Sequence, residues 1–306
     1  NDFFRKKNSR AVVDSFTGPL RIFAVSLLDR IKACNNVTEV TSYLPFFVSD
    51  ARVGWIHHDF VHALSPFDDC FTVGVDSVRL ADHLGDYQSR TASVGQVTRS
   101  LKNAGWFSGW RSEAYAVGRG FYEKPFFEME RAAVPRFGVA GYGVHVNGFV
   151  KDDDELLMWI ARRADDKPTY PGMLDNMVAG GQPVGLGLLE NVIKESAEEA
   201  SIPREIAHLA KPAGVISYKH EEDNCLKPDT MFVFDMELPR DFVPKNIDGE
   251  LAGFQLLPVQ KVMEIIADTT DFKFNCAAVI IDFFVRHGVL GPEDPEYIEI
   301  QRGLHR

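Results

Sequence analysis

The sequence predicts an α+β protein of two domains, a smaller α+β domain at residues 1–132 and a larger one at 133–306. Three observations carry this expectation. The 306 residues exceed one domain of roughly 150. Helical apolar spacing prevails before about residue 130, whereas strand alternation, hairpins and a few helices follow it. A 45% apolar share, including 11% aromatic residues, supplies a sizeable core and argues against disorder.

Residues 1–20 are polar and basic and read as a loose arm. Ala24, Leu27, Leu28 and Ile31 recur at helical spacing, and Asn35-Asn36 ends that helix. Val53, Ile56, Phe60 and Leu64 predict a second helix, closed by Pro66. A short strand follows at Phe71 to Val75. Val78, Leu80, Ala81 and Leu84 predict a helix stopped by Gly85, and Val94, Val97 and Leu101 another stopped by Gly105. After the aromatic stretch Trp106, Phe107 and Trp110 the character changes near Pro135. Tyr142 to Val150 reads as a strand, with Leu156 to Ala161 as its hairpin partner across Asp152-Asp153-Asp154. Further strands fall at 214–219, 230–237 and 251–258, and helices at about 188–200 and 259–267. A last helix, Asn275 to Arg286, stops at Gly288.

A net charge of −11 argues against general nucleic-acid binding, which needs a concentrated basic face. It leaves room for an anionic small molecule, because a bound divalent cation inverts the local charge balance. No apolar run approaches the roughly 18 residues of a membrane span, so no membrane partner is expected. Cys34, Cys70, Cys225 and Cys276 are far apart and form no zinc-ligand spacing. They read as reduced thiols of an intracellular protein. The expected compartment is the cytoplasm, or an organelle if a transit peptide has been removed, and the expected state is a monomer or homodimer.

The segment richest in chemistry is Gly180-Gly181-Gln182-Pro183-Val184-Gly185-Leu186-Gly187 and the helix after it. Its four glycines let the backbone approach a ligand closely. On the helix, Glu195, Glu198 and Glu199 fall at i, i+3 and i+4 and share one arc. Like charges so placed repel by about 0.2–0.5 kcal/mol per pair. A hard divalent cation removes that penalty and prefers oxygen ligands. A solvated acidic face is the plainer reading, and the adjoining glycine loop favours the metal.

Gly180 to Ile202 resembles the Nudix box, G-x5-E-x7-R-E-U-x-E-E-x-G-U with U apolar. Lys194 to Ile202 matches its second half. Lys194 stands for Arg, Ser196 for the apolar residue, Ser201 for Gly, and Leu186 where the early Glu falls. Pro171 to Asn176, Glu190 to Glu195 and Asp282 to Gly288 resemble the thiamine pyrophosphokinase-related branch, which carries its own N-terminal domain. So do Val53 to Ile56, Trp110 to Glu113 and Gly143 to Gly148. The resemblance implies a C-terminal Nudix α/β/α sandwich on a mixed sheet. It implies Mg²⁺ or Mn²⁺ on Glu195, Glu198, Glu199 and the Gly180 carbonyl, with Gly181 beside the substrate. Its implied activity is hydrolysis of a small-molecule diphosphate, namely thiamine diphosphate or its oxidised or damaged analogues, to monophosphate and phosphate. A nucleotide-type substrate such as ADP-ribose or a dinucleotide, or a non-catalytic binding module, are the alternatives.

Other groups complete the expectation. Arg162, Arg163 and Lys167 are candidates to grip the diphosphate, against a solvated strand end. Glu250 is the expected carboxylate outside the box, joining Glu195 and Glu199 in catalysis. Trp106 and Trp110 are candidates to stack on a heterocycle, against a place in the core. His58 and His62 have zinc-like i, i+4 spacing but no third ligand, and read as partly buried helix histidines. Glu221-Glu222-Asp223 reads as a solvated turn.

Overall fold

The computed structural model describes residues 26–153 and 155–306. The expected arm at 1–20, Ala24 and Asp154 of the acidic turn lie outside the described residues.

The first helix is α1 (Leu27–Cys34), opened by a capping box between Ser26 and Asp29. The N-terminal core then gathers β1 (Tyr43–Val48), β2 (Ala51–His57), α2 (His58–Leu64), β3 (Phe71–Val73), β4 (Val78–Leu80), α3 (Tyr87–Asn103), β5 (Ala114–Val117), β6 (Phe127–Glu130) and α4 (Val134–Phe137). Its apolar centre includes Phe46, Phe60, Phe71, Phe127 and Phe137, all fully buried. Two expected helices are strands. Val53 and Ile56 lie in β2, and Val78 and Leu80 in β4. The β1–β2 register shifts where Phe46 pairs with Gly54 and Phe47 with Arg52. Val53 is the extra residue of this bulge, so buried positions fall three apart and imitate a helix turn. Phe60 and Leu64 do lie on a helix, α2.

The C-terminal part contains β7 (Tyr142–Asp152), β8 (Glu155–Arg163), β9 (Leu174–Asn176), β10 (Val178–Gly181), α5 (Leu188–Ala200), α6 (Arg204–Ala207), β11 (Lys211–Glu222), β12 (Cys225–Glu237), β13 (Leu251–Pro258), α7 (Val259–Asp268), α8 (Phe274–Arg286) and α9 (Tyr297–Gly303). The mixed sheet runs β11-β12-β7-β8-β13, with β10 paired to β7 and β9 to β8. Only the β12–β7 pair is parallel. α5 covers one face through Val192, Ile193 and Ala200. α7 and α8 cover the other, giving an α/β/α sandwich. Asp223 and Asn224, both in the left-handed region, make the tight β11–β12 turn.

α1 packs with the C-terminal part of the chain. Leu27, Ile31 and Cys34 lie in the same core as α8, α9 and the C-terminal sheet. The asparagines that end α1 also reach the outer edge of β11. Asn35 Oδ1 accepts from the Lys219 amide at 3.3 Å. Asn36 accepts from the Glu221 amide at 2.7 Å and donates to the Glu221 carbonyl at 2.9 Å.

Candidate active site

The glycine loop ends β10 and leads into α5, and side-chain amides set its path. Asn191, fully buried, donates to the Gly181 carbonyl at 2.7 Å and to Gln182 Oε1 at 3.0 Å. Gln182 Nε2 donates to the Leu186 carbonyl at 2.6 Å. The Val184 amide donates to the Ala114 carbonyl at 3.0 Å, tying the loop to the N-terminal part. At the far end of α5, Ser201 takes the left-handed conformation for which the box pattern has Gly, at φ 52°. Its hydroxyl donates to the Lys245 carbonyl at 2.6 Å. Ser196 is buried, with no hydrogen-bond partner for its hydroxyl among the described residues, at the position where the pattern is apolar.

The three box glutamates converge on one polar cavity of about 280 Å³, with Gly180 and Glu250 in its wall. Their environments differ. Glu199 is buried, and the Ala179 amide donates to its Oε2 at 2.9 Å. Burial pushes its carboxyl well above the usual range, and that single hydrogen bond does not offset it. Burial also raises Glu195, against the opposing pull of Lys194. Lys194 Nζ lies 3.0 Å from Glu195 and 2.8 Å from Glu198, so it serves as their countercharge. Glu199 has no ion-pair partner among the described residues. This all-oxygen donor set, with a buried carboxylate lacking a countercharge, fits a hard divalent cation. Gly180 makes room for it: a methyl group there would meet Glu195 Cδ at 2.4 Å.

Glu250 enters from the loop before β13. Asn246 Nδ2 ties that loop to the Glu199 carbonyl at 3.1 Å, and the Glu250 amide donates to Asp248 Oδ1 at 2.8 Å. Glu250 accepts from Arg111 Nη1 at 3.0 Å and from Lys167. Burial opposes its ionisation, but these two cations outweigh it and hold the carboxyl below its usual value.

The basic cluster divides. Arg163 and Lys167 line the cavity, whereas Arg162 is exposed and lies outside it. Alternation along β8 puts the two arginines on opposite faces. Arg163 is held by three protein partners, donating to Asp175 at 3.0 Å and to the carbonyls of Tyr170 and Thr169 at 2.9 and 2.8 Å. Trp106 and Trp110 pack on the N-terminal core and line neither this cavity nor its neighbour. Trp106 meets Phe60 edge-on at 5.3 Å between ring centroids. His58 and His62 are exposed on α2 rather than partly buried.

A second cavity of about 210 Å³ adjoins the first, sharing Arg131, Ala179, Gly180 and Lys273 in its wall. Tyr115, Tyr142, Tyr170 and Phe274 give it an aromatic wall, and Gly181 lies in it. The N-terminal part therefore reaches the cleft through Arg111, Glu113, Tyr115 and Arg131, with Arg131 Nη1 2.9 Å from Glu113. Sequence reasoning gave these four no role, although Arg111 and Glu113 lie in the Trp110 to Glu113 resemblance. Lys273, at the junction of the two cavities, carried no local signal. No carboxylate lies within ion-pair distance of it among the described residues. Beneath the cleft, His145, Asp175 and Cys276 place donor atoms within 4.8 Å of one another. The Cys276 thiol donates to Asp175 at 2.7 Å, and His145 pairs with Asn176 at 2.8 Å. With Arg163 also on Asp175, these groups satisfy one another as a buried network.

Comparison with known proteins gives this geometry a family. The chain is 43% identical over 286 residues to Nudix hydrolase 20, chloroplastic, of Arabidopsis thaliana, covering 90% of this chain and 76% of that protein. It is 42% identical over 280 residues to Nudix hydrolase 24, chloroplastic, of the same plant, with 90% and 77% covered. The chain belongs to the Nudix hydrolase family. It is accordingly a hydrolase acting on diphosphate bonds, in a family that generally uses divalent metals. Residues 26–141 of this Nudix hydrolase match a family described as a domain of unknown function (DUF4743). Among solved structures, the Nudix domain of Shewanella oneidensis NrtR complexed with ADP ribose is 12% identical, with a TM-score of 0.39, covering 50% of this chain and 91% of that one.

Proposed function

We propose that this Nudix hydrolase cleaves thiamine diphosphate, or its oxidised or damaged analogues, to the monophosphate and orthophosphate. One observation carries the reading: the glutamate cavity and an aromatic cavity lie side by side, with Arg131, Ala179, Gly180 and Lys273 in the walls of both. A diphosphate at the glutamates then places its organic group against Tyr115, Tyr142 and Tyr170. The resemblance to the thiamine pyrophosphokinase-related branch supports the same substrate.

Glu195, Glu198 and Glu199 would hold the cation, Mg²⁺ or Mn²⁺, beside Gly180. When bound, it neutralises the diphosphate and activates a water for in-line attack. Water adds to the terminal phosphorus, the anhydride P–O bond breaks, and the organic monophosphate leaves. Lys273 neutralises the diphosphate where the two cavities meet. Glu250 anchors Arg111 and Lys167 at the rim and is less suited to accept a proton than sequence reasoning expected. Arg163 supports the loop at 164–173 rather than the substrate. The N-terminal part supplies the organic-group wall through Tyr115 and Arg131. The names of the two Arabidopsis relatives favour an organelle over the cytoplasm for this chain.

A panel of diphosphates assayed with Mg²⁺ and with Mn²⁺ tests the proposal. Orthophosphate release from thiamine diphosphate and its oxo analogues is the expected result. Cleavage of ADP-ribose or dinucleotides with no turnover of thiamine compounds would replace it with a nucleotide substrate. Binding without turnover of any diphosphate would leave a ligand-binding module.

A further inference from the structure

The aromatic cavity contains an acid that the diphosphate chemistry does not use. Asp229 lies in its wall, carried by β12. The Gly141 amide donates to Asp229 Oδ1 at 3.1 Å, and a methyl group at Gly141 would meet that oxygen at 2.6 Å. The chain thus leaves out a side chain at Gly141 to admit the carboxylate. Tyr218 reaches Oδ2 at 3.4 Å and in turn accepts from Asn275 Nδ2 at 3.3 Å. Each oxygen therefore keeps capacity for a further hydrogen bond.

The charge of this group has no ion-pair partner among the described residues. Lys227, two positions away, is turned to Glu222 at 2.6 Å. Burial raises the Asp229 carboxyl above its usual value, opposed by the Gly141 amide, by Lys227, by the Tyr218 hydroxyl and by Lys273. The two lysines, in the same cavity wall, favour its ionised form from beyond ion-pair distance, so the carboxylate is kept as a hydrogen-bond acceptor whose lone pairs face the cavity. The surrounding walls, Tyr115, Tyr142, Tyr170 and Phe274, suit a flat ring.

We infer that Asp229 is the specificity-determining residue of this cavity, accepting hydrogen bonds from the N–H edge of a nitrogen heterocycle. The ligand class is an amidine-like ring edge, as in a protonated aminopyrimidine or the N1–H and amino edge of a guanine. The match lies in the donor pattern: two adjacent N–H groups meet the two carboxylate oxygens. The inference rests on reading the adjoining glutamate cavity as the diphosphate site, and it names the group that chooses the organic half.

Asp229→Asn keeps an oxygen for the Gly141 amide and removes the charge. Wild type and variant are compared on thiamine diphosphate, GDP and dimethylallyl diphosphate, which has no ring N–H. Thiamine monophosphate is also titrated calorimetrically into both metal-free proteins. The variant should lose about tenfold or more in kcat/KM on the heterocyclic substrate, mainly through KM, and as much in thiamine monophosphate affinity. Turnover of dimethylallyl diphosphate should stay within about twofold. If wild type cleaves GDP but not thiamine diphosphate, and the variant loses GDP selectively, the inference stands and the thiamine proposal falls. If wild type cleaves thiamine diphosphate and the variant matches it in turnover and affinity, the inference falls and the thiamine proposal stands. Equal loss on the ringed and ringless substrates would also overturn it.

Discussion

The Glu195 side chain crosses the α-carbon of Gly180 so closely that a methyl group there would meet both Cγ and Cδ at 2.4 Å. The strand that ends in the glycine loop and the helix that carries the glutamates fit together only because that hydrogen is not a carbon. The overlap falls on a side chain, which can swing aside, rather than on backbone. Gly180→Ala should therefore displace Glu195 and spare the fold. We expect a loss of about 10–100-fold in kcat, as for a disturbed metal environment, with little change in melting temperature. Full activity in the variant would show that Glu195 is not needed where it stands.

Glu199→Gln should remove most turnover. The amide keeps an oxygen for the Ala179 N–H, so the helix stays anchored. It also deletes a buried carboxylate that has no cation beside it in the described structure. Without metal the variant should melt no lower than wild type, and added Mg²⁺ should stabilise it less. Turnover within a few-fold of wild type would remove Glu199 from the metal site.

Lys273→Ala and Arg162→Ala should part company. Lys273 sits where the two cavities join, so its loss should weaken diphosphate binding by about 1.5–3 kcal/mol, read as a rise in KM. Arg162 is exposed and outside the cleft, so its loss should leave KM unchanged. Reversed effects would return the phosphate grip to the β8 arginine.

Trp106→Ala should act on stability rather than on substrate choice. Its ring packs on Phe60 and lines neither cavity, so truncation should cost about 2 kcal/mol or more. The ratio of rates on thiamine diphosphate and ADP-ribose should stay fixed. A shift in that ratio at unchanged melting temperature would restore Trp106 as a stacking residue.

His145 makes stability depend on pH. Burial, with Lys273 adding to it, lowers its pKa from 6.5 to about 4. Between these values the unfolded chain binds a proton that the folded protein does not, so stability rises with pH across this window. Lowering the pH from neutral to about 4 should forfeit up to about 3 kcal/mol, at about 1.4 kcal/mol per unit. Urea unfolding at several pH values, on wild type and His145→Gln, measures this. Parallel curves for the two proteins would refute it.

The glutamate trio was legible because its geometry is local: three residues within one and a half turns of a helix, after a run of glycines. The long strands β7, β8, β12 and β13 were legible from alternation and turn residues. β2 was not, because the bulge at Val53 erases the two-residue period by which a strand is read. β4 was misread because its buried Val78 and Leu80 run on into the buried Ala81 and Leu84 beyond it, and together they imitate helical spacing. Arg131, Tyr115 and Lys273 meet only after residues more than a hundred positions apart have folded together, so no spacing announces them. Arg163 had the right residue type for phosphate, but its three protein partners were invisible from sequence. Ser201 ran the other way: a departure from the glycine pattern adopts the left-handed conformation all the same.

The amides of Asn35 and Asn36 do for β11 what a neighbouring strand would otherwise do. An open sheet edge offers its free N–H and C=O groups to any extended chain, including a second copy of the same protein. Asn36 occupies the Glu221 positions with one donor and one acceptor, and the C-terminal tail takes Ser217 through the His305 bridge and the Arg306 amide. Two segments nearly at opposite ends of the sequence thus stand guard over one border. Replacing Asn36 by Ala, or removing His305 and Arg306, should not touch the hydrolytic cleft, yet it should make the protein sticky, adding strand to strand and precipitating at concentrations where the unaltered protein stays dispersed.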